Sequence, residues 1–221
     1  MARVPPGIGL IETMRVVDGT IPWLERHLAR LQASITALDL TPPREALRDL
    51  LRHAAGDGDH VVRIEVRDGH AEIATRAVNQ GQAPSIVISD EVHAFYPHKT
   101  TSRAQFGRAL ATARRLGADD ALLFTQAGHA VEGTSWNLFW WEEQALCTPA
   151  TSLGMLPGIG RGRVMELTSV QEVCVTAPEL VGRSLFLVNA VRGIVEIGTF
   201  ERRVVPNDPR TAELSSALWP D

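Results

Sequence analysis

Gly9-Leu10-Ile11-Glu12-Thr13-Met14-Arg15-Val16-Val17-Asp18-Gly19 reads as a β-strand closed by a tight turn. An Asp-Gly pair after a largely apolar run supplies the backbone angles that a two-residue hairpin needs. Leu24, Leu28, Leu31, Ile35 and Leu38 then recur at the spacing of an amphipathic helix. A second helix is expected over about 44–54, stopped by Gly56-Asp57-Gly58. Residues 61–66 and 71–75 flank Asp68-Gly69 as another hairpin, and residues 85–89 add a strand. The first part of the chain is therefore mixed α and β with antiparallel pairing.

Residues 91–98 carry Phe95, Tyr96 and Pro97 and read as a connector. After them a helix is expected over 105–116 and strands over 121–124, 137–141 and 145–147. A further helix over 161–167 is entered through Leu156-Pro157-Gly158-Ile159-Gly160, and strands follow over 173–175 and 185–188. This gives an α/β chain with a small N-terminal domain over 1–92, a connector over 93–98 and a larger C-terminal domain over 99–221. Such a boundary places Lys99 at the seam, a position where small-molecule sites commonly lie.

That lysine is the only one in 221 residues, against 21 arginines. A guanidinium stays protonated, so arginine cannot serve as an amine nucleophile or base. A lysine can lose its proton when buried or set beside another cation, and it can form a Schiff base. Bias against lysine codons explains the ratio equally well from composition alone. The hydroxyl-rich context His98-Lys99-Thr100-Thr101-Ser102-Arg103 favours the chemical explanation.

The totals exclude other classes. A net charge of −4 with no basic run leaves no electrostatic footprint for nucleic acid. The apolar stretches fall well short of the ~20 residues that a spanning helix needs. Residues 1–6 lack the apolar core of a secretion signal. Cys147 and Cys174 lie in strand-like apolar contexts and read as reduced core thiols. The chain is expected in the cytoplasm. No dinucleotide-binding, P-loop or nucleophile-elbow pattern is present, and the seven histidines show no metal-ligand spacing. Each histidine is expected to be solvated or locally hydrogen-bonded.

Three further elements could do chemistry. Glu132, in Val131-Glu132-Gly133-Thr134, is an acid at a hairpin exit, where the default is a solvated carboxylate. Gly158-Ile159-Gly160 precedes a helix, whose first N–H groups can hold a phosphate, although many such glycines serve only as turns. Arg30 lies off the apolar line of the first helix, where a salt bridge or solvent exposure is the default.

Taken in order, these segments resemble the class IV pyridoxal-phosphate (PLP) aminotransferases, a family that includes 4-amino-4-deoxychorismate lyase. The resemblance rests on Ile11-Glu12-Thr13-Met14-Arg15-Val16 with Asp18-Gly19, on His27-Leu28-Ala29-Arg30-Leu31, and on His98-Lys99-Thr100-Thr101. It continues through Gly128-His129-Ala130-Val131-Glu132-Gly133, Asn137-Leu138-Phe139, Leu156-Pro157-Gly158-Ile159 and Asn189-Ala190-Val191-Arg192-Gly193, spanning roughly residues 9–200. It implies a two-domain fold-type IV enzyme that holds PLP between its domains and works as a homodimer. Lys99 would be the Schiff-base lysine and would shuttle the α-proton. Glu132 would pair with the pyridine nitrogen. Arg30 would bind the phosphate, with backbone N–H groups of Ile159 and Gly160 completing the cup and Gly158, Asn189 and Ala190 lining it. Arg103 and Arg192 would be candidates for substrate carboxylates.

Three departures mark this chain. The family's further strand and hairpin ahead of the Glu12-Thr13 segment are expected to be held only in part. The tyrosine that transaminases often place soon after the lysine is replaced by Arg103 and Ala104. Hydroxyl residues that often aid phosphate binding are replaced by Gly160 and Ala190. The Lys-x-x-x-Arg spacing, Asn137-Leu138-Phe139-Trp140 and Asn189-Ala190 resemble the lyase branch most. That implies release of pyruvate from aminodeoxychorismate to leave 4-aminobenzoate. An amino acid aminotransferase using a 2-oxo acid is the alternative, and a non-catalytic relative is a third reading.

Overall fold

The computed structural model describes residues 7–79 and 81–220. Residues 1–6, read above for a leader, lie outside the described residues. The chain divides into two compact units, one formed by residues up to Asn79 together with His98–Ser102, the other by Gln80–Pro97 and the chain from Arg103 onward.

In the first unit, β1 (Leu10–Val16), β2 (His60–Arg67) and β3 (His70–Arg76) form an antiparallel sheet in the order β1-β2-β3. The turns sit where the Asp-Gly pairs predict them: Asp18 and Gly19 have φ of 46° and 73°, and Asp68 and Gly69 have 50° and 75°. Two positive φ values in succession are what a type I′ turn requires. Helix α1 (Leu24–Ala37) and helix α2 (Leu47–Ala55) belong to the same unit. Leu31, Ile35 and Leu51 from these helices pack with Leu10, Met14, Val16, Val62, Ile64 and Val66 from the sheet.

The free edge of β1 is occupied. Ile11 N–H donates to the Lys99 carbonyl at 2.8 Å, Thr101 N–H donates to the Gly9 carbonyl at 2.8 Å, and Leu10 bridges Thr100. The segment around Lys99 thus lies along β1, held by two backbone hydrogen bonds and a single β-bridge.

The second unit is built on a ten-stranded sheet. Its strands are β4 (Ser85–Val92), β5 (Asp120–Phe124), β6 (Ala130–Gly133), β7 (Asn137–Glu142), β8 (Ala145–Pro149), β9 (Val170–Val173), β10 (Ser184–Asn189), β11 (Gly193–Glu196), β12 (Thr199–Phe200) and β13 (Arg203–Val204). The main path runs β11-β10-β7-β6-β5-β4-β12-β13, with β8 pairing β7 and β9. Its helices are α3 (Ala104–Arg115), α4 (Ile159–Leu167), α5 (Ala177–Leu180) and α6 (Pro209–Leu218). Trp140, Leu138, Leu185, Leu187, Ile86 and Leu122 form one core layer, and Phe106, Ala109, Ala113, Ala121 and Leu123 another.

Two assignments differ from the sequence reading. Residues 85–89, expected beside the N-terminal hairpins, form β4, which runs parallel to β5 in the second unit. Cys174 is exposed, just past β9, an edge strand that pairs only with β8 and buries none of its residues, while Cys147 is buried on β8; both thiols are free. Among the described residues no helix is long and apolar enough to cross a membrane, and no group of three or more His, Cys, Asp or Glu could hold a metal.

Candidate active site

The residues singled out from the sequence fall into two groups, one in each unit.

In the first unit the group is built on β1. Strand alternation puts Leu10, Glu12, Met14 and Val16 on one face, and all four are buried. A carboxylate therefore stands in a row of core side chains, facing His27 and Arg30, which sit three residues apart on α1. Arg30 clasps Glu12 with both arms of its fork, Nε to Oε1 at 2.8 Å and Nη2 to Oε2 at 2.6 Å. His27 Nδ1 lies 2.7 Å from Glu12 Oε2, and Nε2 has no hydrogen-bond partner. Burial alone would raise the Glu12 pKa. The hydrogen bond from His27 and the charge and hydrogen bonds of Arg30 outweigh it and hold the carboxyl at about 2. Burial lowers the His27 pKa, opposed by Glu12 and reinforced by the charges of Arg30 and Lys99. A neutral His27 that donates through Nδ1–H to the carboxylate fits both observations. Lys99 is half-buried, lies within electrostatic reach of His27, and is flanked by His98, whose Nδ1 is 3.0 Å from Ser34 Oγ.

This cluster predicts how the protein responds to acid. A carboxyl that titrates near 2 in the folded chain and at 4.5 otherwise stabilises the fold above about pH 4.5. That contribution, about 3 kcal/mol, is lost as pH falls from about 4.5 towards 2. Protonating His27 on acidification acts in the same direction. Denaturant melts across pH 3–6 should show stability dropping below about pH 4.5, and Glu12→Gln should flatten that drop.

In the second unit the group gathers around β6. Glu132 is buried at 4% exposure, opposite Leu123 of β5 and Asn137 of β7. It is not the solvated acid that its hairpin position suggested. Its Oε1 lies 2.9 Å from His93 Nε2 and accepts a longer bond from Leu156 N–H at 3.3 Å. Asp120 accepts N–H bonds from Ala121 at 2.7 Å and Thr134 at 3.1 Å, tying down the turn that follows Glu132.

From Leu156 the chain passes directly into α4. Asn137 Nδ2 donates to the Leu156 carbonyl at 3.1 Å, and a Cβ added at Gly158 would collide with Asn137 Oδ1. At Gly160 a Cβ would lie 2.9 Å from Val188 Cγ2 and 3.1 Å from the Asn189 carbonyl carbon and oxygen. No side chain caps the first turn of α4. The start of this helix is thus bare backbone packed against Asn137 of β7 and the end of β10, with no room for a Cβ at 158 or 160. Uncapped N–H groups at a helix start suit a phosphate dianion. Asn189 shapes the neighbouring turn, its Oδ1 accepting from Val191 and Arg192 N–H at 2.9 Å each, and Ala190 lies within that turn. Gly160→Ala should weaken PLP binding by about tenfold or more, since the helix start must shift away from β10; a fluorescence titration of the purified protein checks this.

The two arginines suggested for substrate carboxylates are engaged by their own unit. Arg103 donates to the Thr134 carbonyl at 2.5 Å and stacks 4.7 Å from the Phe106 ring centre. Arg192 donates to the Gly81 carbonyl at 2.5 Å and lies 5.4 Å from the Trp136 ring centre. The sequence reading assigned no role to Glu12 or His93. Glu12 was visible as an acid on the core face of an alternating strand, but His93 gave no local signal.

The pattern that defines the family described as amino-transferase class IV matches residues 9–199, and the chain belongs to that family. It is a PLP-dependent enzyme. It is 23% identical over 188 residues to the aminodeoxychorismate lyase of Bacillus subtilis (strain 168), a match covering 72% of this chain and 64% of that protein. The branched-chain aminotransferase of Thermoproteus uzoniensis, solved with norvaline, superimposes with a TM-score of 0.84 at 21% identity, covering 96% of this chain and 84% of that one. The PLP-bound form of a hypothetical aminotransferase from Mycobacterium tuberculosis gives 0.81 at 22% identity, over 95% and 88%. At this identity the two structural likenesses establish a shared fold-type IV architecture. Within each unit the residues suit a part of the family's cofactor: an amine and an arginine in the first, a buried carboxylate and an uncapped glycine-lined helix start in the second.

Proposed function

We propose that the chain is a lyase of the aminodeoxychorismate type, releasing pyruvate and leaving 4-aminobenzoate, with Lys99 as its catalytic amine. When bound, the cofactor supplies an electron-withdrawing pyridine ring that stabilises negative charge at the substrate's α-carbon. Lys99 Nζ takes the proton from that carbon. Glu132 accepts the hydrogen bond of the ring nitrogen and keeps it protonated, and burial removes competing water from the carboxylate. Arg30 is the side chain offered to the phosphate, through the edge of its guanidinium fork turned away from Glu12, and the backbone N–H groups of Ile159 and Gly160 are the donors offered by the start of α4. Glu12 fixes the direction of that fork through Nε and Nη2.

The observation that carries this reading is the pinning of the chain's one lysine. Its carbonyl is bonded to β1, beside the strand residue that clasps Arg30. The lyase branch is favoured by the Lys99-x-x-x-Arg103 spacing, by Asn137-Leu138-Phe139-Trp140 and by Asn189-Ala190. The chain is further taken to act as a homodimer on a small amino acid-like substrate. Incubation with aminodeoxychorismate tests the branch directly. Catalytic release of 4-aminobenzoate without a 2-oxo acid is expected. Exchange of amino groups that depends on a 2-oxo acid, without that release, would make the chain an amino acid aminotransferase instead.

A further inference from the structure

Glu132 is met by a histidine that no part of the reading above uses. His93 follows β4 and keeps the pairing with β5 going, its N–H donating to the Phe124 carbonyl at 2.8 Å. One residue before Phe124, Leu123 stands opposite Glu132 in the β5–β6 pair. This register brings the His93 ring to the carboxylate. The imidazole side chain is wholly buried, at 0% exposure, with Nε2 2.9 Å from Glu132 Oε1. On its other side the ring meets Phe106 edge-on, with centres 6.2 Å apart, and Nδ1 has no hydrogen-bond partner.

We propose that His93 is a positioning residue that acts through Glu132, its Nε2–H donating to Oε1 and fixing that carboxylate as an acceptor for the cofactor's ring nitrogen. The proposal rests on the reading that Glu132 serves that nitrogen. The tautomer follows from the surroundings. A proton on Nδ1 would be a buried donor with no acceptor, which is costlier than a buried acceptor left unpaired. Oε1 then takes two donors, His93 Nε2–H and Leu156 N–H, which set the plane and direction of the carboxylate before any ligand arrives. Hydrogen bonds to an ionised acceptor are the strong ones, so losing the one from His93 should be felt at the cofactor.

The tautomer can be read without a variant. Nitrogen-15 NMR of the cofactor-free protein at neutral pH should show His93 protonated at Nε2 and bare at Nδ1; the reverse tautomer would overturn the proposal. Affinity for PLP, followed by fluorescence and by the visible absorption band, supplies the second arm. His93→Gln keeps a donor and should bind PLP within about threefold of the parent, while His93→Leu should bind about tenfold or more weakly. Added to Glu132→Gln, the His93→Leu change should cost nothing further, because the carboxylate it served is gone. Equal losses for Gln and Leu, or additive losses in the double variant, would mean that His93 merely fills space. A loss in Glu132→Gln alongside an unaffected His93→Leu overturns this proposal alone. Unchanged affinity and absorption in Glu132→Gln overturns the role given to Glu132, and this proposal with it.

Discussion

Replacing Lys99 with arginine is expected to abolish turnover while leaving the fold intact. The substitution retains the positive charge that His27 senses, and the backbone bond from Ile11 N–H to the residue 99 carbonyl does not depend on the side chain. What it removes is an amine that can lose a proton, since a guanidinium stays charged throughout the working pH range. Proton transfer by a positioned group contributes about 10²–10⁴-fold on its own, and the covalent role comes in addition, so turnover should fall at least about 10⁴-fold. Steady-state assays alongside thermal melts check this. Retained turnover would remove Lys99 from the chemistry. Lost turnover together with a collapsed melt would make the residue structural.

The largest effect on stability is expected at Glu12. Removing its carboxylate in Glu12→Ala leaves the Arg30 guanidinium facing a core row without its counter-charge and takes the acceptor from His27 Nδ1–H. Breaking a buried pair by deleting one partner costs about 3–5 kcal/mol. In a chain of this size that corresponds to a fall in melting temperature on the order of 10 °C. Glu12→Gln keeps the shape and one acceptor oxygen and should cost clearly less. Because Glu12 sets the direction of the Arg30 fork, both variants should also bind PLP more weakly, in the same rank order. A Glu12→Ala protein as stable as the parent would show that the cluster contributes nothing to the fold.

How much of this was legible beforehand depends on whether the signal is local. The Asp18-Gly19 and Asp68-Gly69 turns and the apolar spacing of α1 are local, and the structure has them in place. So are the strands at Leu122, Leu138 and Leu187. Helix α6 also carried a readable signal, with Asp208 accepting from Arg210 N–H and Pro209 in the first turn, yet no helix was expected there. The partner of β4 was not legible, because a parallel pairing with β5 leaves no turn signature between the two strands. Arg30 took the salt bridge that its place off the apolar line allows, but naming Glu12 as partner needs the packing of α1 on β1. The His93–Glu132 contact joins residues 39 apart in the chain and exists only through the register of three strands. Sequence pattern finds the elements; which buried charges face one another is decided by how those elements pair.

The most direct test of the central claim is chemical. The purified protein should be incubated with PLP, reduced with borohydride and digested, and the modified peptide located by mass spectrometry. The account predicts one pyridoxyl group, carried by Lys99, with the visible absorption band bleached on reduction. A protein that takes up no PLP, or a stable adduct on any other amine with Lys99 unmodified, would contradict it.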